Sequence, residues 1–198
     1  MEQKNPVLLI TCFEPFGGDT ENASMLAVNA LPDTVGPWQL SKLVLPVEFG
    51  TAGDRAVALA EEIGAKAVIC VGQAGGRGAV TPELVALNLQ QAPIPDNAGR
   101  SPQYEPVVSG APDAYFSTLP VIKMADAMRE NGVPGVLSLS AGLYVCNDLY
   151  YRVLHHFHNT GVRAAFIHVP AASGTISMDT ATAARALTLA IEQIPAKA

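Results

Sequence analysis

The feature that most restricts the fold of this 198-residue chain is an alternation of short, β-rich apolar runs with longer segments of helical periodicity. This alternation is typical of α/β domains, in which helices cover a sheet. Several runs are apolar at successive positions, as in strands buried on both faces. The length suits one hydrophobic core. We therefore predict an α/β fold: a single domain over residues 1–198, with a twisted mixed sheet and helices on both faces.

The individual elements follow from the same periodicity. Strands are predicted at residues 7–11, 39–45, 67–72, 84–89, 136–140 and 163–169. Helices are predicted at residues 24–31, 51–63, 119–130, 145–157 and 179–194. The intervening segment 91–120 is rich in Pro, Gly, Asn, Asp and Ser and is long for a connection within a compact domain. Long connections of this kind are often functional.

Charge and composition exclude several classes of function. The net charge is −6, from 12 basic and 18 acidic residues, and no basic cluster offers a face for nucleic acid. The opening MEQKNPVLLI has only four consecutive apolar residues before Thr11, too few for a signal peptide, and no later run suits a membrane span. The three cysteines form no C-x-x-C pair, which argues against a disulfide framework or a zinc site. We expect a cytoplasmic protein without a metal or cofactor, and with no nucleic-acid or membrane partner.

One of the three cysteines, Cys146, has a position that suits a nucleophile. It follows a predicted strand and the turn Ala141-Gly142-Leu143, so we expect it in the first turn of the predicted helix 145–157. Free N–H groups and the positive end of the helix dipole there stabilise a thiolate, which lowers the thiol pKa. The same N–H groups can hold an oxyanion. The alternative is a buried, inert cysteine, an interpretation that suits Cys12 and Cys70 better.

A cysteine nucleophile needs a base, and the base needs an orienting group. His168 ends the predicted strand AAFIHVP, and ligand crevices form at strand ends in open α/β sheets. Glu83 follows a Gly-rich turn and directly precedes the predicted strand 84–89, so it is a candidate for the orienting carboxylate. The alternative is a solvated glutamate at the start of a strand, and spacing alone does not choose. The other histidines lie late in the helix of Cys146, where a cation faces the negative end of the dipole, so we interpret them as a solvated helix end rather than a metal site: His155, His156 and His158.

Five segments stand in order along the chain: FEPFGG (13–18), VGQAGGR (71–77) with ELVALN (83–88), IPDNAG (94–99), SAGLYVCN (140–147) and FIHVP (166–170). Together they resemble the pyroglutamyl peptidase type I family, also called pyrrolidone-carboxylate peptidase, a family of cysteine peptidases. The resemblance spans nearly the whole chain. It implies hydrolysis of the amide bond after an N-terminal pyroglutamyl residue, with peptides of that kind as partners, and a homo-oligomer, a tetramer or dimer.

The resemblance also implies roles for individual residues. Cys146 corresponds to the nucleophile, His168 to its base and Glu83 to the group that orients the imidazole. A pyroglutamyl group is a flat lactam without a charged amine, so its site should be an apolar slot with a few hydrogen bonds. The residues that the resemblance assigns to this slot are Phe13 and Phe16 as aromatic walls, Gln73 as a polar contact, and Ile94, Tyr144 and Val145 as further lining.

The chain departs from the family pattern at several positions. Pro93 and Leu84 each stand where the family usually has Arg, and Pro has no side-chain donor. Smaller departures are Val47 and Leu143 in place of Thr, and Ala171 in place of an aromatic residue. Arg77 is retained and is a candidate to compensate for the missing cations. Two alternatives stay open: a pyroglutamyl-binding homologue weakened in catalysis, and an amidase that acts on another acyl group.

Overall fold

A computed structural model describes residues 5–196, so both ends of the predicted 1–198 domain, including the first four residues of MEQKNPVLLI, lie outside the described residues. Strands and helices alternate along the described chain. The strands are β1 (Val7–Phe13), β2 (Thr34–Val35), β3 (Trp38–Leu45), β4 (Ala67–Gln73), β5 (Thr81–Leu87), β6 (Gln90–Gln91), β7 (Gln103–Glu105), β8 (Ala114–Phe116), β9 (Ser138–Ser140) and β10 (Arg163–Val169). The helices are α1 (Ala23–Asn29), α2 (Thr51–Glu62), α3 (Val121–Glu130), α4 (Val145–His156) and α5 (Thr180–Glu192). None of the helices between residues 5 and 196 is long and apolar enough to cross a membrane.

The main sheet is mixed, as predicted. Its order is β2-β3-β1-β4-β10-β5-β8, and β9 pairs with β5. The central strands β3, β1, β4 and β10 are parallel, whereas β5 runs antiparallel to β10. The carboxyl ends of β1, β4 and β10 therefore meet at one edge of the sheet, and the start of β5 lies at the same edge. Crevices at such an edge are where ligands bind in open α/β sheets.

Helices cover both faces of this sheet, which confirms the predicted layering. Successive side chains of a strand point to opposite faces, and in β1 the fully buried Leu8 and Ile10 pack into one core cluster while Leu9 packs into the other. The first cluster includes buried side chains of α1, α3 and α5, and the second includes those of α2 and α4. Burial on both faces explains why the central strands read as continuous apolar runs in the sequence.

Five of the six predicted strands have bounds that differ from the prediction: β1 and β4 end two residues and one residue later, β3 begins one residue earlier, and the other two are β9 and β5. The run predicted at 136–140 is shortened to β9 at Ser138–Ser140, and the run predicted at 84–89 is β5 at Thr81–Leu87. The strand β5 begins earlier because Thr81, Pro82 and Glu83 pair with β10, an interaction between segments far apart in the chain. Glu83 therefore lies inside a strand and is fully buried, which corrects its expected place before the strand.

The segment 91–120 is more structured than a bare connection. It contains β7, which pairs with β6 in a separate two-stranded ribbon, and β8, which forms an edge of the main sheet. Both strands are only three residues long. Strands this short carry little periodicity, so the sequence pattern did not indicate them.

Candidate active site

Cys146 is the second residue of α4, and Tyr144 is the N-cap of this helix. The N–H groups of Asn147 and Asp148 donate to the Tyr144 carbonyl at 2.9 and 3.1 Å. The N–H of Cys146, in contrast, has no intrahelical acceptor at this position of a helix. The predicted placement of Cys146 in the first helical turn is confirmed.

The first turn of α4 lies close to strand β4 because residue 72 is a glycine. A Cβ atom built there would lie 3.0 Å from Cys146 Sγ and 2.9 Å from Phe166 Cζ. These distances are too short for a real side chain, so glycine permits the close approach of helix and sheet. Gly72 is also the register partner of His168 in β10. The nucleophile candidate and the base candidate therefore adjoin the same backbone position.

The thiol of Cys146 is not activated in the way that the helix dipole suggests. Burial raises its pKa to about 12, and the nearby Glu83 carboxylate acts in the same direction. Arg77 and the N–H of Cys146 itself lower the pKa, but by less. The expectation of a lowered pKa is therefore wrong for this state of the protein, because desolvation outweighs the local dipole. Although Cys146 is partly exposed, its sulfur is a protonated thiol at neutral pH.

His168 and Glu83 form a direct hydrogen bond. His168 Nδ1 lies 2.7 Å from Glu83 Oε1. His168 is 4% exposed and Glu83 is 0% exposed, so the pair is buried. Antiparallel pairing of β5 with β10 places Glu83 opposite Phe166 and Thr81 opposite His168. An ionised carboxylate only accepts hydrogen bonds, so Nδ1 carries the proton and Nε2 is left free to accept one. This is the tautomer that a general base requires.

Both groups of this pair are held in the protonation states that general-base chemistry uses. Burial raises the pKa of Glu83, but the hydrogen bond and charge of His168, together with the nearby Ser138 hydroxyl and the hydrogen bond from Arg77, outweigh burial and leave the pKa below its usual value. Burial lowers the pKa of His168 below its usual 6.5, although Glu83 opposes this shift. The resulting state is a carboxylate beside a neutral imidazole.

A cavity of about 180 Å³ adjoins Cys146. Aromatic, aliphatic and polar side chains line it: Phe13, Phe16, Asp19, Asn22, Val47, Gln73, Tyr144 and Cys146. The rings of Phe16 and Tyr144 are tilted with centroids 5.5 Å apart, and Phe49 packs edge-on against Tyr144. The cavity thus combines aromatic walls with a small number of polar groups, as expected for a small-molecule site.

The amide of Gln73 has a defined orientation in this cavity. Its Oε1 accepts a 2.7 Å hydrogen bond from the N–H of Ala23 at the start of α1. The amide NH2 group is then the part of Gln73 that remains to donate to a ligand. The start of α1 also fixes Phe13, one wall of the cavity, because Ser24 Oγ accepts a hydrogen bond from the N–H of Phe13 at 3.1 Å.

The IPDNAG segment supports the cavity rather than lining it. Asp96 accepts hydrogen bonds from the N–H groups of Phe49, Ala98 and Arg100. The N–H of Asn97 donates to the carbonyl of Val47, and the hydroxyl of Tyr144 donates to the carbonyl of Pro95 at 3.2 Å. This segment therefore fixes two of the lining residues, Val47 and Tyr144, through backbone contacts.

The structure brings together some of the sequence-predicted site residues and leaves others apart. The lining includes Phe13, Phe16, Gln73, Tyr144 and Cys146, whereas His168 and Glu83 are buried in the adjoining strands. Two other predicted lining residues are absent from the lining. Ile94 is 50% exposed, and Val145, the first residue of α4, is fully buried in the core cluster that α4 shares with α2. Their roles stay predictions.

Three lining residues were not assigned to the site from the sequence: Asp19, Asn22 and Val47. Asp19 and Asn22 follow directly on FEPFGG, so continuing that segment by four residues would have included both. Val47 follows the end of β3, and no local feature of the sequence indicates that its side chain lines the cavity.

The described residues offer no evident place for a metal ion. Between residues 5 and 196, no group of three or more His, Cys, Asp or Glu side chains is placed to hold one. The histidines near the end of α4 have other partners: His155 Nδ1 lies 2.9 Å from the hydroxyl of Tyr115, and His156 Nε2 lies 2.8 Å from Glu61. The side chains at this edge of the sheet that are candidates for catalysis are instead Cys146, His168 and Glu83.

Comparison with known proteins relates this arrangement to one family. The profile of the family described as pyroglutamyl peptidase matches residues 6–197. The pyrrolidone-carboxylate peptidase of Thermococcus onnurineus is 46% identical over 165 residues, covering 82% of each chain, and that of Klebsiella pneumoniae is 42% identical, covering 93% of this chain and 90% of that one. The crystal structure of pyroglutamyl peptidase I from Bacillus amyloliquefaciens superposes with a TM-score of 0.91 at 32% identity, covering 97% of this chain and 98% of that one.

Proposed function

The chain belongs to the pyroglutamyl peptidase family, and from that membership we propose that it hydrolyses the amide bond after an N-terminal pyroglutamyl residue, using Cys146, His168 and Glu83. The observation that carries this proposal is the 2.7 Å hydrogen bond between His168 and a buried carboxylate, beside a cysteine at a helix start. A nucleophile, a base that takes its proton and a group that orients the base are the parts of a cysteine acyl-transfer site.

In the proposed reaction His168 acts first as a base. Its Nε2 accepts the proton of the Cys146 thiol as Sγ attacks the pyroglutamyl carbonyl carbon, and the carbonyl π electrons move to oxygen. The N–H groups at the start of α4 stabilise this oxyanion. The oxyanion then collapses, the C–N bond breaks, and His168 returns the proton to the departing amine. Water, deprotonated by the same imidazole, hydrolyses the thioester and releases pyroglutamate and the free thiol.

Glu83 acts on His168 rather than on the substrate. It keeps the proton on Nδ1, which leaves Nε2 facing the reaction, and its charge stabilises the imidazolium formed during each proton transfer. Because the thiol has a pKa of about 12, proton transfer accompanies attack instead of preceding it as a stable ion pair.

The cavity beside Cys146 suits the pyroglutamyl group. Phe13, Phe16 and Tyr144 present apolar surface to a flat lactam ring, and the NH2 group of Gln73 donates to the lactam carbonyl. A second cavity of about 190 Å³ shares Asp19 and Gln73 with the first and is also lined by the segment 171–173, which follows β10. Its position after the strand that carries His168 suits the residue whose amine leaves.

Hydrolysis of a pyroglutamyl fluorogenic amide by the purified, reduced protein tests the proposed function. We expect release of the fluorophore, and no comparable release from the matching prolyl amide, which has a charged amine and lacks the lactam carbonyl. Binding of pyroglutamate without release would favour the catalytically weakened homologue. Release only from other acyl amides would favour a different amidase.

The pH dependence of the reaction follows from the two pKa shifts at the site. Protonated His168 cannot accept the thiol proton, and burial lowers its pKa below 6.5, so kcat/KM is expected to fall only below that pH. The thiol pKa of about 12 predicts that the rate of Cys146 alkylation keeps rising with pH well into the alkaline range. A pH–rate profile and a pH series of iodoacetamide alkylation, read by mass spectrometry, check both. An alkylation rate already at its plateau at neutral pH would contradict the neutral-thiol state.

The remaining expectations for this chain are its assembly and its location. We propose a homo-oligomer, a tetramer or dimer, in the cytoplasm, with pyroglutamyl peptides as partners. Light scattering of the purified protein reports the assembly directly.

A further inference from the structure

Arg77 makes an unusual contact with the buried carboxylate of Glu83. Its Nη1 lies 2.6 Å from Glu83 Oε1 and also 2.6 Å from Thr81 Oγ1. The Thr81 hydroxyl in turn lies 3.4 Å from the same Oε1. Arg77 stands in the loop between β4 and β5, so a residue outside the sheet reaches a carboxylate inside it.

The hydrogen bonds of this carboxylate converge on a single oxygen. Glu83 Oε1 is bonded to both Arg77 and His168, whereas Oε2 has no hydrogen-bond partner among the described residues. Ser138 lies opposite Glu83 in β9, close enough to lower its pKa, but its hydroxyl donates to the Ser140 carbonyl at 3.3 Å. Arg77 and His168 therefore share one acceptor, and the position of each depends on the other.

Arg77 is also the cation that lies at this cluster. Among residues 5–196, no other Lys or Arg is within ion-pair distance of Glu83. The Glu83 side chain is 0% exposed while that of Arg77 is 34% exposed, so the guanidinium covers the carboxylate on its solvent side. The departures at Pro93 and Leu84 do not supply a second cation: Pro93 is exposed and Leu84 packs against the core.

The charge of Arg77 acts on both reacting groups. A buried carboxylate without a cation would favour a protonated His168, because an opposite charge stabilises the charged form of its neighbour. A cation bound to the same oxygen offsets this effect. In agreement, Arg77 lowers the pKa of both His168 and Cys146.

We propose that Arg77 is a positioning residue of the active site: by binding the same oxygen of Glu83 as His168 does, it holds the carboxylate ionised and in place while keeping His168 neutral between turnovers. The inference rests on the proposed function for its catalytic consequence. Two competing roles make different predictions, namely a purely structural brace of the loop between β4 and β5, and a direct contact with substrate. Arg77 is absent from the lining of both cavities near Cys146.

The test compares Arg77→Gln and Arg77→Lys with the parent protein, with Arg129→Gln as a matched control. Arg129 is an exposed arginine paired with Asp126 on α3. For Arg77→Gln we expect kcat to fall by about 10- to 100-fold, as for other groups that act through a neighbour, with little change in KM. The acid limb of kcat/KM should move to higher pH by about one unit, because the charge that opposes protonation of His168 is gone.

The conservative variant separates charge from folding. Arg77→Lys retains the cation, so the pH of its acid limb should lie close to that of the parent protein, and its kcat should lie between those of Arg77→Gln and the parent. Arg129→Gln should change neither quantity. A melting curve for each variant shows which are folded. Equal losses in both Arg77 variants without a shift of the acid limb would establish a structural brace and overturn the proposal. A raised KM at unchanged kcat would overturn it in favour of substrate contact.

A second readout keeps this inference separate from the proposed function. Alkylation of Cys146 by iodoacetamide needs no substrate, and its dependence on pH should shift to higher pH in Arg77→Gln because Arg77 lowers the thiol pKa. An inactive parent protein would refute the proposed peptidase activity, and the alkylation shift would still decide the role of Arg77 at the site. An unshifted alkylation profile in folded Arg77→Gln would refute that role even if the parent is active.

Discussion

Cys146→Ala is expected to abolish hydrolysis of a pyroglutamyl amide, lowering kcat by on the order of 10⁵-fold. The substitution removes the atom that bonds to the acyl carbon, and no other cysteine replaces it, because Cys12 and Cys70 are buried in the core and neither lines the cavity. The fold should persist, since Cys146 is only partly buried. The measurement is turnover of the fluorogenic amide together with a thermal melt.

Cys12→Ala is the matched control for this prediction. Cys12 is 1% exposed in β1, so its truncation should cost about 1 kcal/mol of the free energy of unfolding through lost packing. Its turnover should nevertheless stay near that of the parent protein, because its side chain does not line the cavity. Retained activity in folded Cys146→Ala would refute the assignment of the nucleophile.

Glu83→Gln is expected to lower kcat by on the order of 10³-fold while leaving KM nearly unchanged. The amide oxygen can still accept from His168, but the negative charge that stabilises the imidazolium is lost. The amide NH2 group also offers a donor where Arg77 and His168 already donate, so the tautomer of His168 is no longer enforced. Single-turnover kinetics with the fluorogenic amide would locate the loss in the chemical step.

Asp148→Asn is the matched control for the glutamate. Asp148 is likewise 0% exposed and is paired with an arginine, with Arg152 Nε at 3.1 Å. It also accepts from the N–H of Gly50 at 2.8 Å, away from the cavity. We expect Asp148→Asn to lower the melting temperature but keep most of kcat. Equal losses of kcat in both variants would show that any buried carboxylate has this effect and would remove the special role of Glu83.

Local patterns were sufficient for most of the fold. The run at residues 163–169 is the strand β10 with the predicted bounds, and the helix predicted at 145–157 is α4 at Val145–His156. The first is a continuous apolar run of strand length, and the second has an apolar residue every four positions, at Val145, Leu149, Val153 and Phe157. The short strands β7 and β8 and the early start of β5 escaped prediction, because pairing with distant strands, rather than local periodicity, creates them.

Within the site, sequence reasoning was most successful where a side chain has a distinctive chemistry. Cys146, singled out for its place at a helix start, lines the cavity, and so does Gln73, the polar contact that the family resemblance implied. The aliphatic residues Ile94 and Val145 are not among the lining residues, and their roles stay predictions, since the direction of an apolar side chain depends on the packing of the whole element. Val47 lines the cavity although the sequence marked it only as a departure from the family pattern.

The sequence by itself determined the two-faced α/β sheet and the residues that carry reactive groups, because apolar periodicity and side-chain chemistry are local properties of the chain. Only the tertiary structure decided how those groups are tuned. The pKa of Cys146 is raised because burial outweighs the helix dipole, and Arg77 meets Glu83 because the loop between β4 and β5 folds back over the start of β5. Burial depends on packing between distant segments, and at the shared oxygen Arg77 meets His168, which is far away in the chain, so neither can be read from spacing alone.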